Sequence, residues 1–334
     1  MSEALSVVMP VHNEAPHLRG TIDALVESVG RSNFSAALVL VDDGSTDGSA
    51  EIATAALGDR LPLTVVAQPN VGRFGARRAG LEEAQGTWVL LLDARVRLQP
   101  DSLSFVQDRL AAGEKVWNGH VNVETGGNPY GAFWNVLVEL AWRDYFAEPR
   151  TTSFDAESFD RYPKGTTCFL SPRLLMLEAI GMFRSGYANL RYANDDTPVL
   201  RWIAQRERIH LSPSFACEYT PRAAFRTFVR HSVHRGTVFL DGHGRPDSRF
   251  FPFAVAFFPL STVLAAASFR RPALVPAFAA TAAAAAGAVA AAAGRSAFET
   301  ASFAALAPVY AVAHGAGMWR GLALLARDRS RTTA

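Results

Sequence analysis

The chain has 334 residues, 49% of them apolar and only 19% charged, so it can bury a sizeable core and is not a disordered polymer. A net charge of +2 gives no cationic excess for nucleic acid. Its two cysteines, Cys168 and Cys217, are far apart, which excludes a disulfide scaffold and a cysteine-ligated zinc site and fits a reducing compartment.

Along the chain, Leu5–Pro10 reads as a buried strand and Pro16–Val29 as a helix with apolar spacing at Leu18, Ile22, Leu25 and Val29. Ala36–Val41 is a second strand, closed by a turn over Asp42–Ser45, with Asp47 or Ser45 placed to cap a helix over Asp47–Leu57. Leu63–Ala67 is a third strand, Arg73–Gln85 a helix and Thr87–Leu92 a fourth strand. Strands alternating with helices imply βαβ units and a parallel sheet, whose ligands bind beyond the carboxyl ends of the strands. Beyond Pro100 the pattern loosens. Tyr130–Phe146 is an aromatic-rich amphipathic helix, Thr166–Leu170 a further strand, and Asp195–Gln205 a helix opening on two acids.

The polar clusters fall at three strand ends: His12–Glu14, Asp42–Asp47 and Asp93–Arg97. Strand-end loops are polar in any protein, which accounts for one such cluster more easily than for three in succession. Paired carboxylates in a Gly/Ser turn accept hydrogen bonds from a base or ribose, and they equally suit a plain turn and cap. Asp93 ends an apolar strand, so it is held rigidly. The run NVGRFGARRAG sets Arg73, Arg77 and Arg78 around a helix start, a pattern suited to a phosphate or diphosphate. A solvated basic helix face is the plainer account of any one of these arginines.

From Phe251 onward only Glu299 and Asp328 are acidic, against seven arginines. Three apolar stretches, 251–269, 272–294 and 301–326, approach the ~20 residues a membrane helix needs. If all three cross, Arg270–Arg271 and the terminal arginines lie outside, against the positive-inside bias. The preferred expectation is therefore an interfacial or re-entrant first stretch and a spanning hairpin from the other two. Arg295 and Glu299 then face the far side. Met1–Val11 has neither a basic start nor a long enough apolar run for a signal peptide, so the preceding domain is expected to stay cytoplasmic.

The stretches VVMPVHNE, VDDGSTDGS, NVGRFGARRAG and LLDAR, followed by KGTTCFLSPR, NDDTPVLRW and EYTPRAAFRTFVRHSVHRG, resemble the successive signatures of family 2 glycosyltransferases over roughly residues 4–240. The tail, with AHGAGMWRGL, resembles the membrane-bound, exopolysaccharide-type branch. The resemblance implies a GT-A fold, an α/β Rossmann-like mixed sheet, over 1–240. A membrane-associated region follows over 241–334. It also implies a nucleotide-sugar donor. Pro10, Val11, Glu14 and Asp42 then correspond to nucleoside-binding positions, Arg73 and Arg77 to donor-binding arginines, and Asp93 to the first acid of the family's DxD. Here that motif is DAR, with Arg95 in place of the second acid. A single carboxylate is a poor magnesium or manganese site, so the metal at Asp93 is in doubt, and Arg95 or Arg97 becomes a candidate to neutralise the diphosphate. Asp195–Asp196 corresponds to the acidic pair that supplies the general base, Asp196 being favoured and Asp195 the close alternative. Two helix-capping acids are the plain alternative. His231 falls where many relatives place a glutamine-and-aromatic motif near donor and acceptor and is a candidate to contact the diphosphate, although a membrane-proximal helix would carry it equally well. With His234 it has no third ligand for zinc.

These features predict an inverting, membrane-bound glycosyltransferase at the cytoplasmic face, acting on a lipid-linked or polysaccharide acceptor. Transfer to polyprenyl phosphate is a close rival. A non-catalytic subunit of a polysaccharide synthase, supported by the broken DxD, is a rival of another class.

Overall fold

The structure, a computed structural model, describes residues 3–194, 196–246 and 248–332, with side chains as far as Asp328. Asp195 lies outside the described residues. The elements begin with β1 (Ala4–Val11), α1 (Ala15–Gly30), β2 (Ser35–Asp42), α2 (Ser49–Leu57), β3 (Leu63–Ala67), α3 (Arg73–Glu83) and β4 (Trp88–Leu92). Then come β5 (Val96–Leu98), α4 (Ser102–Ala111), β6 (Val116–Val123), α5 (Pro129–Ala141), α6 (Arg143–Phe146), β7 (Thr152–Phe154) and β8 (Cys168–Pro172). The chain continues through α7 (Arg173–Met182), α8 (Asp196–Ala204), β9 (Ile209–Tyr219), α9 (Phe225–His243), α10 (Phe251–Arg270), α11 (Leu274–Ala292) and α12 (Ala297–Thr332). Two compact units result. One comprises Met1–Asn122, Ala147–Arg184 and Asp195–Thr220; the other comprises Val123–Phe146, Ser185–Asn194 and Pro221–Ala334.

The first unit is built on a nine-stranded sheet of order β3-β2-β1-β4-β8-β6-β9-β5, with β7 paired to β9. Strands β1 to β4 stand where expected and run parallel. β8 is antiparallel to β4, which makes the sheet mixed, and it begins at Cys168, two residues later than the sequence suggests. The central strands are apolar on both faces because helices cover both: Val7, Val8, Met9, Leu38, Leu40 and Leu90 are all buried. α1 starts with Pro at its first turn, where the missing N–H costs nothing, and buries Leu18, Ile22 and Leu25. Each such side chain contributes roughly 1.5–3 kcal/mol. α3 lies close on the sheet at Gly80, where a Cβ would sit 2.5 Å from Val8 Cγ1 and 2.9 Å from Val41 Cγ2. That contact brings Arg77, nearly one turn earlier, to the ends of the strands.

The second unit is helical. Phe133 and Val136 of α5, Phe228 of α9, Ala290 of α11 and Phe303 and Leu306 of α12 form its core. The helix expected over Tyr130–Phe146 is interrupted at Trp142. α9 and α12 approach to backbone contact: a Cβ on Gly317 would lie 2.1 Å from Val233 O. Phe251–Arg270, Leu274–Ala292 and Ala297–Asp328 are each long and apolar enough to cross a membrane.

Candidate active site

The register of the parallel strands aligns Val11 with Asp42 and Asp42 with Ala67, so the carboxyl ends of β1, β2 and β3 form one edge. β4 pairs with β1 on the other side and delivers Asp93 just past Leu92. The loop after β1 and the turn after β2 are laced together. Asn13, in the left-handed region at φ 55°, accepts the Thr46 amide on its Oδ1 at 2.8 Å, and its own amide donates to Ser45 Oγ. Asparagine tolerates that backbone because its short side chain bonds locally. Glu14 N donates to Ser49 Oγ, and Ala15 N to Asp47 Oδ2. Gly48, at φ 77°, holds the capping place of α2 for which the sequence offers Asp47 or Ser45; Asp47 Oδ1 still accepts the Ser49 amide at the helix start, while Asp47 Oδ2 and Ser45 Oγ accept the Ala15 and Asn13 amides.

The adjacent acids Asp42 and Asp43 divide their work. Asp42 Oδ1 accepts the Ser45 amide at 2.8 Å and its side chain is half-buried. Asp43 is buried and takes three hydrogen bonds: from Val71 N (2.8 Å), Gly72 N (2.9 Å) and Gln68 Nε2 (2.8 Å). It therefore ties down the loop that leads into α3, a role the sequence does not single out.

At the next strand end, Arg77 of α3 is buried and bridges two acids. Its Nη2 is 3.0 Å from Asp93 Oδ1 and its Nη1 is 3.0 Å from Asp196 Oδ1, at the first residue of α8. Asp93 and Asp196 retain side-chain exposures of 22% and 32%, against 2% for Arg77, so the acids and not the arginine face outward. Thr166 completes the group: its carbonyl lies 3.4 Å from Arg77 Nη2, and its hydroxyl donates to Asp196 Oδ1. Phe74, Leu91, Met176, Ile180 and Val199 line the space beside Arg77 and Thr166. Burial pushes the Asp196 carboxyl up, but Arg77, Arg73 and the hydrogen bonds from Thr166 and Arg77 outweigh it, and the carboxyl is held below its ordinary value of 3.8. Among the described residues Asp196 Oδ2 takes no hydrogen bond.

The remaining arginines separate cleanly. Arg73 is exposed on the same helix face as Arg77, four residues earlier, and its charge is felt by Asp196. Arg78 is exposed and pairs with Glu82 one turn on. Arg95 forms an ion pair with Glu14, Nε to Oε2 at 2.6 Å, both largely buried. Arg97 pairs with Glu218. Pro10 and Val11 contribute backbone at the end of β1. His231 belongs to the helical unit, its ring packed edge-on at 5.1 Å from Trp134.

A divalent ion is poorly served by these donors. Asp93 Oδ1 is already engaged by Arg77, and the third DxD position is an arginine paired to Glu14. Among the described residues no three His, Cys, Asp or Glu side chains gather into a metal site. Magnesium and manganese prefer several oxygen ligands in near-octahedral array, and one carboxylate does not meet that need.

The sequence profile of Glycosyl transferase family 2 matches residues 6–169. Those residues are a family 2 glycosyltransferase domain. Among curated relatives, an undecaprenyl-phosphate 4-deoxy-4-formamido-L-arabinose transferase of Pseudomonas paraeruginosa is 39% identical over 120 residues, 34% of this chain and 34% of its own. The enzyme of the same name from Pseudomonas aeruginosa is 34% identical over 144 residues, 42% of this chain and 41% of its own. The matched part of the chain thus spans well under half the length of these relatives. Among solved structures, the mannosyltransferase PcManGT from Pyrobaculum calidifontis, in complex with GDP-Man and Mn2+, has a TM-score of 0.53 at 19% identity, over 93% of this chain and 87% of that one. S. aureus TarS 1-349 in complex with UDP has a TM-score of 0.52 at 16% identity, over 99% and 92%. The glycosyltransferase domain accordingly carries the mixed GT-A sheet expected from its motifs, and Asp93 and Arg77 fall inside the matched residues. Asp196 lies beyond them.

Proposed function

We propose that the chain transfers a glycosyl group from a nucleotide-diphospho-sugar to an acceptor held at the membrane, with inversion at the anomeric carbon and with the glycosyltransferase domain on the cytoplasmic side. The observation that carries this reading is the convergence of Asp93 and Asp196 on buried Arg77 at the carboxyl edge of the sheet. In this reading the nucleoside lies over Pro10, Val11, Glu14 and Asp42. Arg77 acts as a bracket that holds the two acids in place, while exposed Arg73 is the arginine that meets the diphosphate.

The step needs a proton acceptor. The acceptor oxygen attacks the anomeric carbon, the bond to the diphosphate breaks, and the nucleoside diphosphate leaves with the electron pair. With a hydroxyl acceptor the proton goes to Asp196 Oδ2. The carboxylate's other oxygen is tied by Arg77 and Thr166, which orients it. Asp195, adjacent in sequence, is the alternative base.

A second reading takes the acceptor to be a polyprenyl phosphate. It is supported by the names of the curated relatives and by the low basicity of an arginine-paired Asp196, since a phosphate is already ionised. The full chain in detergent, assayed for transfer from a panel of nucleotide sugars, tests both. Asp196→Asn should cost about 10²-fold or more with a hydroxyl acceptor and leave most activity with a phosphate acceptor. Failure of the wild-type chain to bind any nucleoside diphosphate by calorimetry would remove both readings and favour a non-catalytic partner subunit.

A further inference from the structure

The last helix is held at both ends. Near its start, Asn135 Nδ2 donates to Glu299 Oε1 at 3.2 Å, and Arg295, just ahead of α12, is ion-paired with Glu139. Both partners lie on α5. Near its end, Asp328 Oδ2 accepts the Ala188 amide at 2.9 Å, and Arg320 Nη2 donates to Tyr192 Oη at 2.7 Å. Both partners lie in the Ser185–Asn194 segment. Each of these holding segments is internal to the chain: α5 follows β6 and precedes β7, and Ser185–Asn194 lies between α7 and α8. A helix that crosses a bilayer has its ends on opposite faces, ~30 Å of hydrocarbon apart. If α12 crossed, one holding segment would have to reach the far face and return to the sheet on either side of it.

We infer that α12 does not cross the membrane and that the helical unit enters the bilayer from one side only, through α10 and α11. Further observations agree. The apolar window of α12 is 39% buried within the protein, against 6% for α10 and for α11, and its mean hydropathy is 1.2 against 1.7 and 1.8. α12 packs on α9 at backbone distance: a Cβ on Gly236 would lie 2.0 Å from His314 O, and one on Gly321 would lie 2.5 Å from Thr237 O; it also packs on α11, where a Cβ on Gly287 would lie 3.3 Å from Ala304 Cβ. α10 and α11 expose Phe253, Leu260, Phe269, Val275 and Val289, an apolar surface suited to acyl chains, while α12 exposes Phe298, Val312, Trp319 and Leu322 along with its buried face. Their connection carries Arg270 and Arg271, both exposed, and adjacent guanidinium groups resist translocation. This departs from the spanning hairpin with Arg295 and Glu299 on the far side that the hydropathy pattern favours. It does not depend on the reaction catalysed.

The native cysteines are buried, Cys168 at 1% and Cys217 at 0% exposure, so single introduced cysteines report cleanly. Asp59→Cys in the sheet unit, Arg271→Cys and Ala293→Cys would each be placed in the full chain. Labelling with a membrane-impermeant maleimide would be compared in sealed right-side-out and inside-out vesicles and after detergent. All three sites are expected to label in the same vesicle orientation. Labelling of Ala293→Cys only after detergent also supports the inference, because the turn has then not reached the far face. Labelling of Ala293→Cys or Arg271→Cys in the orientation opposite to Asp59→Cys overturns it. The readout needs no turnover, so it stands or falls apart from the proposed function.

Discussion

Arg77 Nη1 sits 3.0 Å from Asp196 Oδ1, joining the third helix of the sheet unit to the first residue of α8 across 119 residues of sequence. The same guanidinium holds Asp93, so one cation fixes two acids. Arg77→Leu keeps the bulk of the side chain and strands both carboxylates. Breaking a buried pair by removing one partner costs about 3–5 kcal/mol, and the partial exposure of the acids places this case near the lower end. Urea unfolding of the detergent-solubilised chain should show that loss, and transfer should fall below detection. A stability change under ~0.5 kcal/mol would mean that Arg77 is not the bracket described.

The Asp196 carboxyl is held below its ordinary value in the folded chain. A depressed folded pKa means that its contribution to stability is present above the unfolded value of 3.8 and is lost as pH falls through the folded value. Stability should therefore be indifferent to this group from pH 5 upward and should fall below about pH 4. Asp196→Asn should remove that acid limb and leave the neutral region unchanged in shape. Unfolding free energies from pH 2.5 to 7 on both proteins would decide it, and an Asp196 contribution titrating near neutrality would contradict the pairing.

Much of the sheet was legible because its first four strands are uniform apolar runs separated by helical spacing, and a buried parallel strand has no other appearance. The strand-end placement of Asp42 and Asp93 followed from the same pattern. What was hidden depended on partners. β5 and β7 are three residues each, formed by their pairing with β9 and not by local preference. The direction of β8 leaves no periodic trace. Asp42 and Asp43 are identical neighbours, and only the path of the Gln68–Gly72 loop decides which is buried beneath it. Thr166 was visible within KGTTCFLSPR but carried no role until α8 brought Asp196 to its hydroxyl.

The Arg95–Glu14 ion pair occupies the place where a second metal-binding acid would stand. With Asp93 the one acid left in the DAR motif and already engaged by Arg77, chelation by EDTA should lower the transfer rate by less than about three-fold. Nucleotide affinity measured by calorimetry should likewise change little when manganese is added. A rate restored tenfold or more by manganese after chelation would show that the donor substrate itself completes an ion site around Asp93.

Asp43 offers the most specific test of how the donor-side loop is held. Its two oxygens accept two backbone N–H groups and one amide side chain. Asp43→Asn replaces one acceptor oxygen by an NH2 that faces a donor, so at least one buried N–H is left unmet. Such a loss costs about 1–3 kcal/mol. The loop it releases leads directly into Arg73 and Arg77, so the damage should appear on the donor side as a several-fold rise in donor KM. Asp42→Asn removes no such clamp, because Asp42 accepts a single amide from its own turn; it should change global stability by less than about 1 kcal/mol. Paired denaturation and donor-saturation measurements on the two variants separate these roles. Equal stability losses from both would show that the two acids share the clamp.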